Sequence, residues 1–333
     1  MGVINSMKLA KFDYQVPRSL IEACVLLEEM DGKALAIAGG TDLMLPMKER
    51  LKVPECLVDL RAIPDLTAIS YGVQGELQIG ALVTLRHLAS EPTVKRNYPA
   101  LARAALKVAT AQIQAMGTVG GNLCQDCLCL YYNQSVGSKH GLERCHKAGG
   151  DVCHTVKGSK ECWATYCSDL APILLVLGAQ VKVVDSIGEK IIPLKDLYTG
   201  NGKQPQTLRP GQLVTQIIVP LQGPKSQNIY LKLRVRKTID YPALGVAVSA
   251  TQAGAGQKVS VGLTGVDKRP LLIEEISREG LFGDEEIEFL VQKAYTIARP
   301  LNNLRDFTPK YRKDMVKVYV QSALEQALQL AER

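Results

Sequence analysis

The chain has 333 residues, of which 46% are hydrophobic and 22% are charged, and its formal net charge is +7. This composition excludes a disordered or fibrous protein, and the length predicts two or three subdomains rather than one core. No stretch approaches the run of about 18 apolar residues that spans a membrane, and we find no secretory signal. Because Lys and Arg are scattered without a long basic run, we predict no nucleic-acid partner.

The first half of the chain predicts short strands alternating with helices. Ser19 and Glu22 form a capping box that begins a helix over residues 19–30. Further along, periodicity predicts a strand at 33–40, a helical turn at 41–50, a strand at 56–60, a hairpin at 66–81 and helices at 84–92 and 99–117, the last closed by Gly117.

The second half predicts a different order. A helix followed by a strand is predicted over residues 168–186, and further strands at 189–194 and 212–220. A polar segment with Gly and Pro, residues 221–228, reads as a linker. Beyond it we predict strands at 229–237, 243–253 and 258–266 and then two helices, which makes the whole chain α+β without an internal repeat.

Two glycine-containing loops are candidate anion sites. AGGTDL (38–43) lies between a predicted strand and a helical turn, and GTVGGNL (117–123) follows a predicted helix. Glycines in such places let backbone N–H groups approach a phosphate that a Cβ would keep away. Either loop alone also fits a simple tight turn. Together they indicate a clamp for the pyrophosphate of a dinucleotide such as FAD.

Cysteines supply a second signal. Seven of the nine fall between Cys124 and Cys167, and the other two, Cys24 and Cys56, lie in apolar surroundings that predict buried core positions. The count is odd and no export signal is seen, so a reduced, cytoplasmic metal site is favoured over disulfides. The residues alone leave an iron–sulfur cluster, a zinc site and free thiols open.

The order and spacing of several motifs resemble the FAD-binding (medium, or beta) subunit of the molybdenum hydroxylase and xanthine dehydrogenase family. The motifs are AGGTDL, VDL, IGALVTL, MGTVGGNL and SDLAPILLVLGA, with KLRVRKTIDYPALGVAV nearer the C-terminus. The resemblance implies a two-lobed FAD-binding domain of the PCMH (vanillyl-alcohol-oxidase-like) type over residues 7–220. A small C-terminal α+β domain of the carbon monoxide dehydrogenase flavoprotein type would follow over 229–333.

The resemblance also implies which residues contact FAD. Residues of both loops would surround the pyrophosphate and ribityl chain, Asp169 would hydrogen-bond the polar chain of the flavin, and Lys232 would contact the cofactor from the C-terminal domain. The loop residues are Ala36, Ile37, Ala38, Gly39, Gly40, Thr41, Asp42, Leu43, Thr118, Val119, Gly120, Gly121 and Asn122.

Most members of the family pass from GGNL to SDLAP after a few residues, whereas residues 124–167 intervene here. An insert of this kind resembles that of the beta subunit of 4-hydroxybenzoyl-CoA reductase, the member closest in pattern, in which it holds a 4Fe-4S cluster. The matching ligands are Cys129, Cys145, Cys153 and Cys162. Cys124, Cys127 and Cys167 are left over and could replace one of them. His146 and His154 directly follow two of the proposed ligands and would be available to zinc.

We find no nucleophile–base constellation and no metalloprotease motif, so substrate chemistry is expected on a partner subunit. The resemblance implies a molybdopterin-containing large subunit and a 2Fe-2S small subunit, with ferredoxin feeding electrons through the cluster and FAD to a reductive dehydroxylation. Two alternatives stay open. One is the flavin subunit of a xanthine- or aldehyde-type dehydrogenase that passes electrons outward, and the other is a zinc-stabilised interaction module without redox activity.

Overall fold

The computed structural model describes residues 8–133, 142–223 and 225–332. Within these ranges the chain forms three β-sheets, each with its own cluster of buried apolar side chains. No helix there combines the length and apolar character that crossing a membrane demands.

The first sheet is small and parallel. Its strands β1 (Asp13–Gln15), β2 (Ala34–Ile37) and β3 (Cys56–Asp59) lie in the order β1-β3-β2. Helix α1 (Leu20–Glu29) joins β1 to β2 and packs Ala23, Cys24 and Leu27 into the core. One half of the predicted capping box is formed, because the hydroxyl of Ser19 accepts from the amide of Glu22 at 3.2 Å. The Glu22 carboxylate accepts from the amide of Arg18 at 2.7 Å instead of from that of Ser19. Helix α2 (Met44–Lys48) follows β2 after a short loop.

The second sheet is antiparallel, with strands in the order β4-β5-β8-β6-β7. The strands are β4 (Ile69–Tyr71), β5 (Leu77–Gly80), β6 (Gln180–Val184), β7 (Glu189–Pro193) and β8 (Leu213–Val219). The helices are α3 (Leu85–Ser90), α4 (Pro92–Asn97), α5 (Pro99–Leu106), α6 (Ala111–Met116), α7 (Val119–Leu123) and α8 (Leu170–Val176), and short 3₁₀ turns occur at Leu60–Ala62, His146–Ala148 and Leu194–Leu197. Helix α8 is apolar throughout and buried throughout, which makes it the centre of the largest core.

The C-terminal unit is an antiparallel sheet covered by two helices. Its strands β9 (Ser226–Leu233), β10 (Leu244–Ala253), β11 (Gly256–Thr264) and β12 (Leu271–Glu279) lie in the order β12-β11-β10-β9. Helices α9 (Asp284–Ile297) and α10 (Pro309–Glu332) pack on it through apolar side chains such as Leu290 and Val320. Along β11, partly exposed and buried residues alternate from Gly256 to Val261, the period-two pattern of a sheet with one covered face, whereas Val261 to Thr264 are all buried.

Three differences from the expected elements have physical causes. The helix predicted over 99–117 is two helices, α5 and α6, because Ala109 adopts a left-handed φ of 40° and Thr110 caps a new helix through its hydroxyl. Strand β12 was not predicted, because it is an edge strand with a mostly exposed, charged face. The linker expected at 221–228 is shorter, since β9 already begins at Ser226.

Candidate cofactor site

A cavity of about 470 Å³ lies where the three sheets and their loops meet. The loop after β2, the start of α7, the residue before α8 and the loop between β9 and β10 all contribute to its wall. Most predicted cofactor contacts are brought together here: all of Ala36 to Leu43, with Thr118, Gly121, Asn122 and Asp169. Val119, Gly120 and Lys232 lie behind this wall and do not line the cavity.

The first glycine loop offers free backbone donors. Within the described part of the chain, the amides of Gly39, Gly40, Thr41 and Asp42 donate no hydrogen bond. Gly40 adopts a φ of +71°, and a Cβ on Gly39 would lie 1.7 Å from the carbonyl oxygen of Met116. The glycines therefore allow this loop to touch the start of the second loop while leaving its N–H groups unpaired, which suits a phosphate.

The second glycine loop is built differently from the expected clamp. The amides of Val119 and Gly120 donate to the carbonyls of Val83 and Ala81, at 2.9 and 2.8 Å, and the amide of Gly121 donates to the hydroxyl of Thr118 at 3.0 Å. These N–H groups are thus already used inside the protein. The first loop supplies most of the free amides, and in the second loop the amide of Thr118 also donates no hydrogen bond within the described residues.

Asp169 is tied to the C-terminal unit by a buried network. Its carboxylate accepts from the Lys232 ammonium at 2.9 Å and from the Tyr230 hydroxyl at 2.6 Å. Lys232 also donates to the carbonyls of Lys107 and Asp240, at 2.8 Å each, so its three N–H donors are occupied. Burial raises the pKa of Asp169, although Lys232 and Tyr230 oppose the shift. Lys232 thus positions Asp169, and its predicted direct contact with the cofactor stays a prediction.

We expect the Lys232→Met variant to unfold more easily than the wild type. The substitution leaves the Asp169 carboxylate, whose side chain is 4% exposed, without its counter-charge, and breaking a buried pair in this way costs about 3–5 kcal/mol. Urea unfolding followed by tryptophan fluorescence measures the change. Lys195→Met is the matched control, because Lys195 pairs with Glu274 at the surface, and it should leave the midpoint nearly unchanged. Equal urea midpoints for the two variants would contradict the assignment of Lys232 as the buried counter-charge of Asp169.

Several wall residues were not foreseen from sequence. Ile239 and Tyr241 reach the cavity from the β9–β10 loop, where Ile239 has a φ of 66° that is unusual for a β-branched residue. Its amide donates to the carbonyl of Ala109 at 3.0 Å, so two strained positions from different units meet at the cavity edge. Cys124 and Cys167 also line the wall. Their only sequence signal was their position directly beside the GGNL and SDLAP motifs.

The four cysteines proposed as cluster ligands line a second, separate cavity. Cys129, Cys145, Cys153 and Cys162 surround it together with Lys147 and aromatic side chains of the insert. Cys127 does not line it, and its thiol instead lies 3.5 Å from the carbonyl oxygen of Lys268. Burial raises the pKa of the Cys129 and Cys162 thiols. The cavity measures about 10 Å³, so a larger group can enter only if the lining side chains move outward.

Within the described residues, the donors around the cysteine cavity are not arranged for a single metal ion. Across the described ranges, no three His, Cys, Asp or Glu side chains are arranged to hold one metal ion. A zinc ion needs its ligands at about 2.0–2.3 Å from one point, whereas a four-iron cluster binds each thiolate at a different iron. The Nε2 atoms of His146 and His154 lie 2.8 Å from the carbonyls of Ser159 and Glu143, to which they donate. Neither Nε2 is therefore available to zinc.

Comparison with known proteins places the chain in a family. Residues 10–222 match the FAD-binding domain in molybdopterin dehydrogenase. The aldehyde oxidoreductase FAD-binding subunit PaoB of Escherichia coli K12 is 34% identical over 79% of this chain and 84% of its own length. The carbon monoxide dehydrogenase medium chain of Afipia carboxidovorans is 31% identical over 95% of this chain and 96% of its own.

A solved structure agrees with these sequence matches. A chain of the reconstituted CO dehydrogenase from Oligotropha carboxidovorans superposes with a TM-score of 0.78 at 27% identity, covering 97% of this chain and 99% of that one. The expected fold is therefore confirmed, with a PCMH-type FAD-binding domain and a C-terminal α+β domain of the carbon monoxide dehydrogenase flavoprotein type. The chain belongs to the FAD-binding medium subunits of the molybdenum hydroxylase family.

Proposed function

We propose that this chain is an electron-transfer subunit that carries FAD in the larger cavity and a 4Fe-4S cluster in the insert over residues 124–167. The observation that carries the proposal is the convergence of four cysteines, drawn from positions far apart in the insert, on one cavity. Four thiolates are the number that such a cluster requires. When bound, the flavin supplies a two-electron store and the cluster a one-electron centre.

The residues of the chain bind and orient these groups rather than transform a substrate. The free amides from Gly39 to Asp42 would bind the pyrophosphate, and Thr118, Gly121 and Asn122 would border the ribityl chain. Asn122 is itself fixed, because its side-chain oxygen accepts from the hydroxyl of Ser168 at 2.6 Å. The chain would act within a complex with a molybdopterin-containing large subunit and a 2Fe-2S small subunit.

For the whole complex we propose the reductive dehydroxylation of 4-hydroxybenzoyl-CoA, with reduced ferredoxin as the electron donor and the reaction in the cytoplasm. The cysteine pattern of the insert supports this choice. A second candidate is a dehydrogenase that oxidises an aldehyde or carbon monoxide, and it is favoured by the names of the relatives that match most of the chain.

The metal and flavin content of anaerobically purified protein tests the proposal. We expect about four irons and one FAD per chain, with an EPR signal after reduction by dithionite. Zinc in place of iron, or flavin without iron, would reject the cluster. Assays of the assembled complex then separate the two candidates: 4-hydroxybenzoyl-CoA with reduced viologen should be turned over, and aldehydes or carbon monoxide with an electron acceptor should not.

A further inference from the structure

We propose that Lys147 is a positioning residue that fixes the first flavin loop through Asp126, so that the cysteine-rich insert controls the affinity for FAD. The effect of Lys147 on FAD binding follows from contacts of the chain itself. The further statement, that a filled cysteine cavity tightens FAD binding, rests on the proposed function.

Lys147 is a buried cation that belongs to the insert. Its side chain is 4% exposed, and its ammonium donates to the carboxylate of Asp126 at 2.5 Å and to the carbonyl of Gly202 at 2.6 Å. It also lines the cysteine cavity and lies 5.4 Å from the centre of the Tyr132 ring. A buried ammonium with such partners has one favourable position, since moving it would leave its charge uncompensated.

Asp126 connects this cation to the flavin cavity. Its amide donates to the carboxylate of Asp42 at 3.1 Å, and Asp42 belongs to the first flavin loop and lines the cavity. Lys52, which also lines the cavity, lies 3.4 Å from the other carboxylate oxygen of Asp126. One continuous set of hydrogen bonds and ion pairs therefore runs from the cysteine cavity to the loop with the free amides.

The consequence is a coupling between the two cavities. Asp42 precedes α2 in the loop whose amides would bind the pyrophosphate, so a displaced Asp126 also displaces these donors. Because hydrogen-bond donors act only when they are aimed at their acceptor, losing this support weakens FAD binding. Coupling between sites in proteins changes affinity by about 5–150-fold, and we expect about tenfold at this single link.

The test compares Lys147→Met with Lys157→Met in the full-length chain. Lys157 is an exposed lysine of the same insert for which the described structure records no partner. FAD affinity is measured by flavin fluorescence, the environment of the bound flavin by visible circular dichroism, and iron by chemical analysis. We expect Lys147→Met to bind FAD about tenfold more weakly with an altered dichroism band, and Lys157→Met to match the wild type in both.

A double-mutant cycle with Asp126→Asn separates this role from a general loss of stability. The two substitutions should weaken FAD binding less in combination than the sum of their single effects, since both break one link. Additive effects, or wild-type affinity for Lys147→Met, would overturn the proposal.

If the wild type holds no iron but Lys147→Met still weakens FAD binding, the cluster fails and the positioning role stands. If iron is present, stripping it should weaken FAD binding in the wild type and not in Lys147→Met, and an equal effect in both would overturn the coupling.

Discussion

The Gly39→Ala variant is expected to lose its FAD. A methyl group at this position would lie 1.7 Å from the carbonyl oxygen of Met116, which belongs to the backbone and cannot rotate away. The first glycine loop must therefore separate from the end of α6, and overpacking of this kind costs about 1–3 kcal/mol of stability. Because the same loop holds the free amides, the strain falls on the phosphate donors themselves.

Flavin content after gel filtration and the melting temperature measure the two effects. Gly188→Ala is the matched control, since a Cβ at Gly188 would meet no atom within 4 Å. It should keep the wild-type flavin content and melting temperature. A Gly39→Ala protein that retains stoichiometric FAD would show that the loop can withdraw without cost, and the cavity would then need another phosphate site.

The sequence was informative wherever local chemistry decides the structure. The N-cap Ser19 and the glycines after β2 specify a helix start and an open loop through neighbouring residues alone, and both lie where we expected them. The break between α5 and α6 was hidden, because it depends on Ala109 in a left-handed conformation that alanine does not signal. Its cause is distant in the chain, since Ala109 accepts hydrogen bonds from Thr238 and Ile239.

The difference between local chemistry and contacts distant in the chain also applies to the site. Most residues of the two glycine loops that line the flavin cavity followed from motifs, whereas Ile239 and Tyr241 did not. The way in which the wall residues act depends on contacts between units. The family resemblance implied that Lys232 contacts the cofactor, yet its ammonium is occupied by Asp169 and two carbonyls from other segments. The link from Lys147 through Asp126 to Asp42 has no sequence signature at all, because it joins three separate segments.

Replacing single cysteines should distinguish the cysteines of the insert that bind iron from those that do not. The wild-type chain should hold about four irons. We expect Cys145→Ser and Cys162→Ser to lose most of them, because each removes one of four thiols around the small cavity. A hydroxyl is a poor substitute for a thiolate, which soft metal centres prefer. Iron analysis and the EPR signal of the reduced protein provide the measurement.

Cys127→Ser is the matched control, because it removes a buried thiol only two residues from Cys129 that faces Lys268 instead of the cavity. It should keep its iron and its EPR signal, while Cys129→Ser should lose both. The opposite result would make Cys127 the ligand and require the chain around Leu128 to turn over. Since the amide and carbonyl of Leu128 are both bonded to Thr165 at 2.8 Å, such a turn would break a bridge that ties the two ends of the insert together.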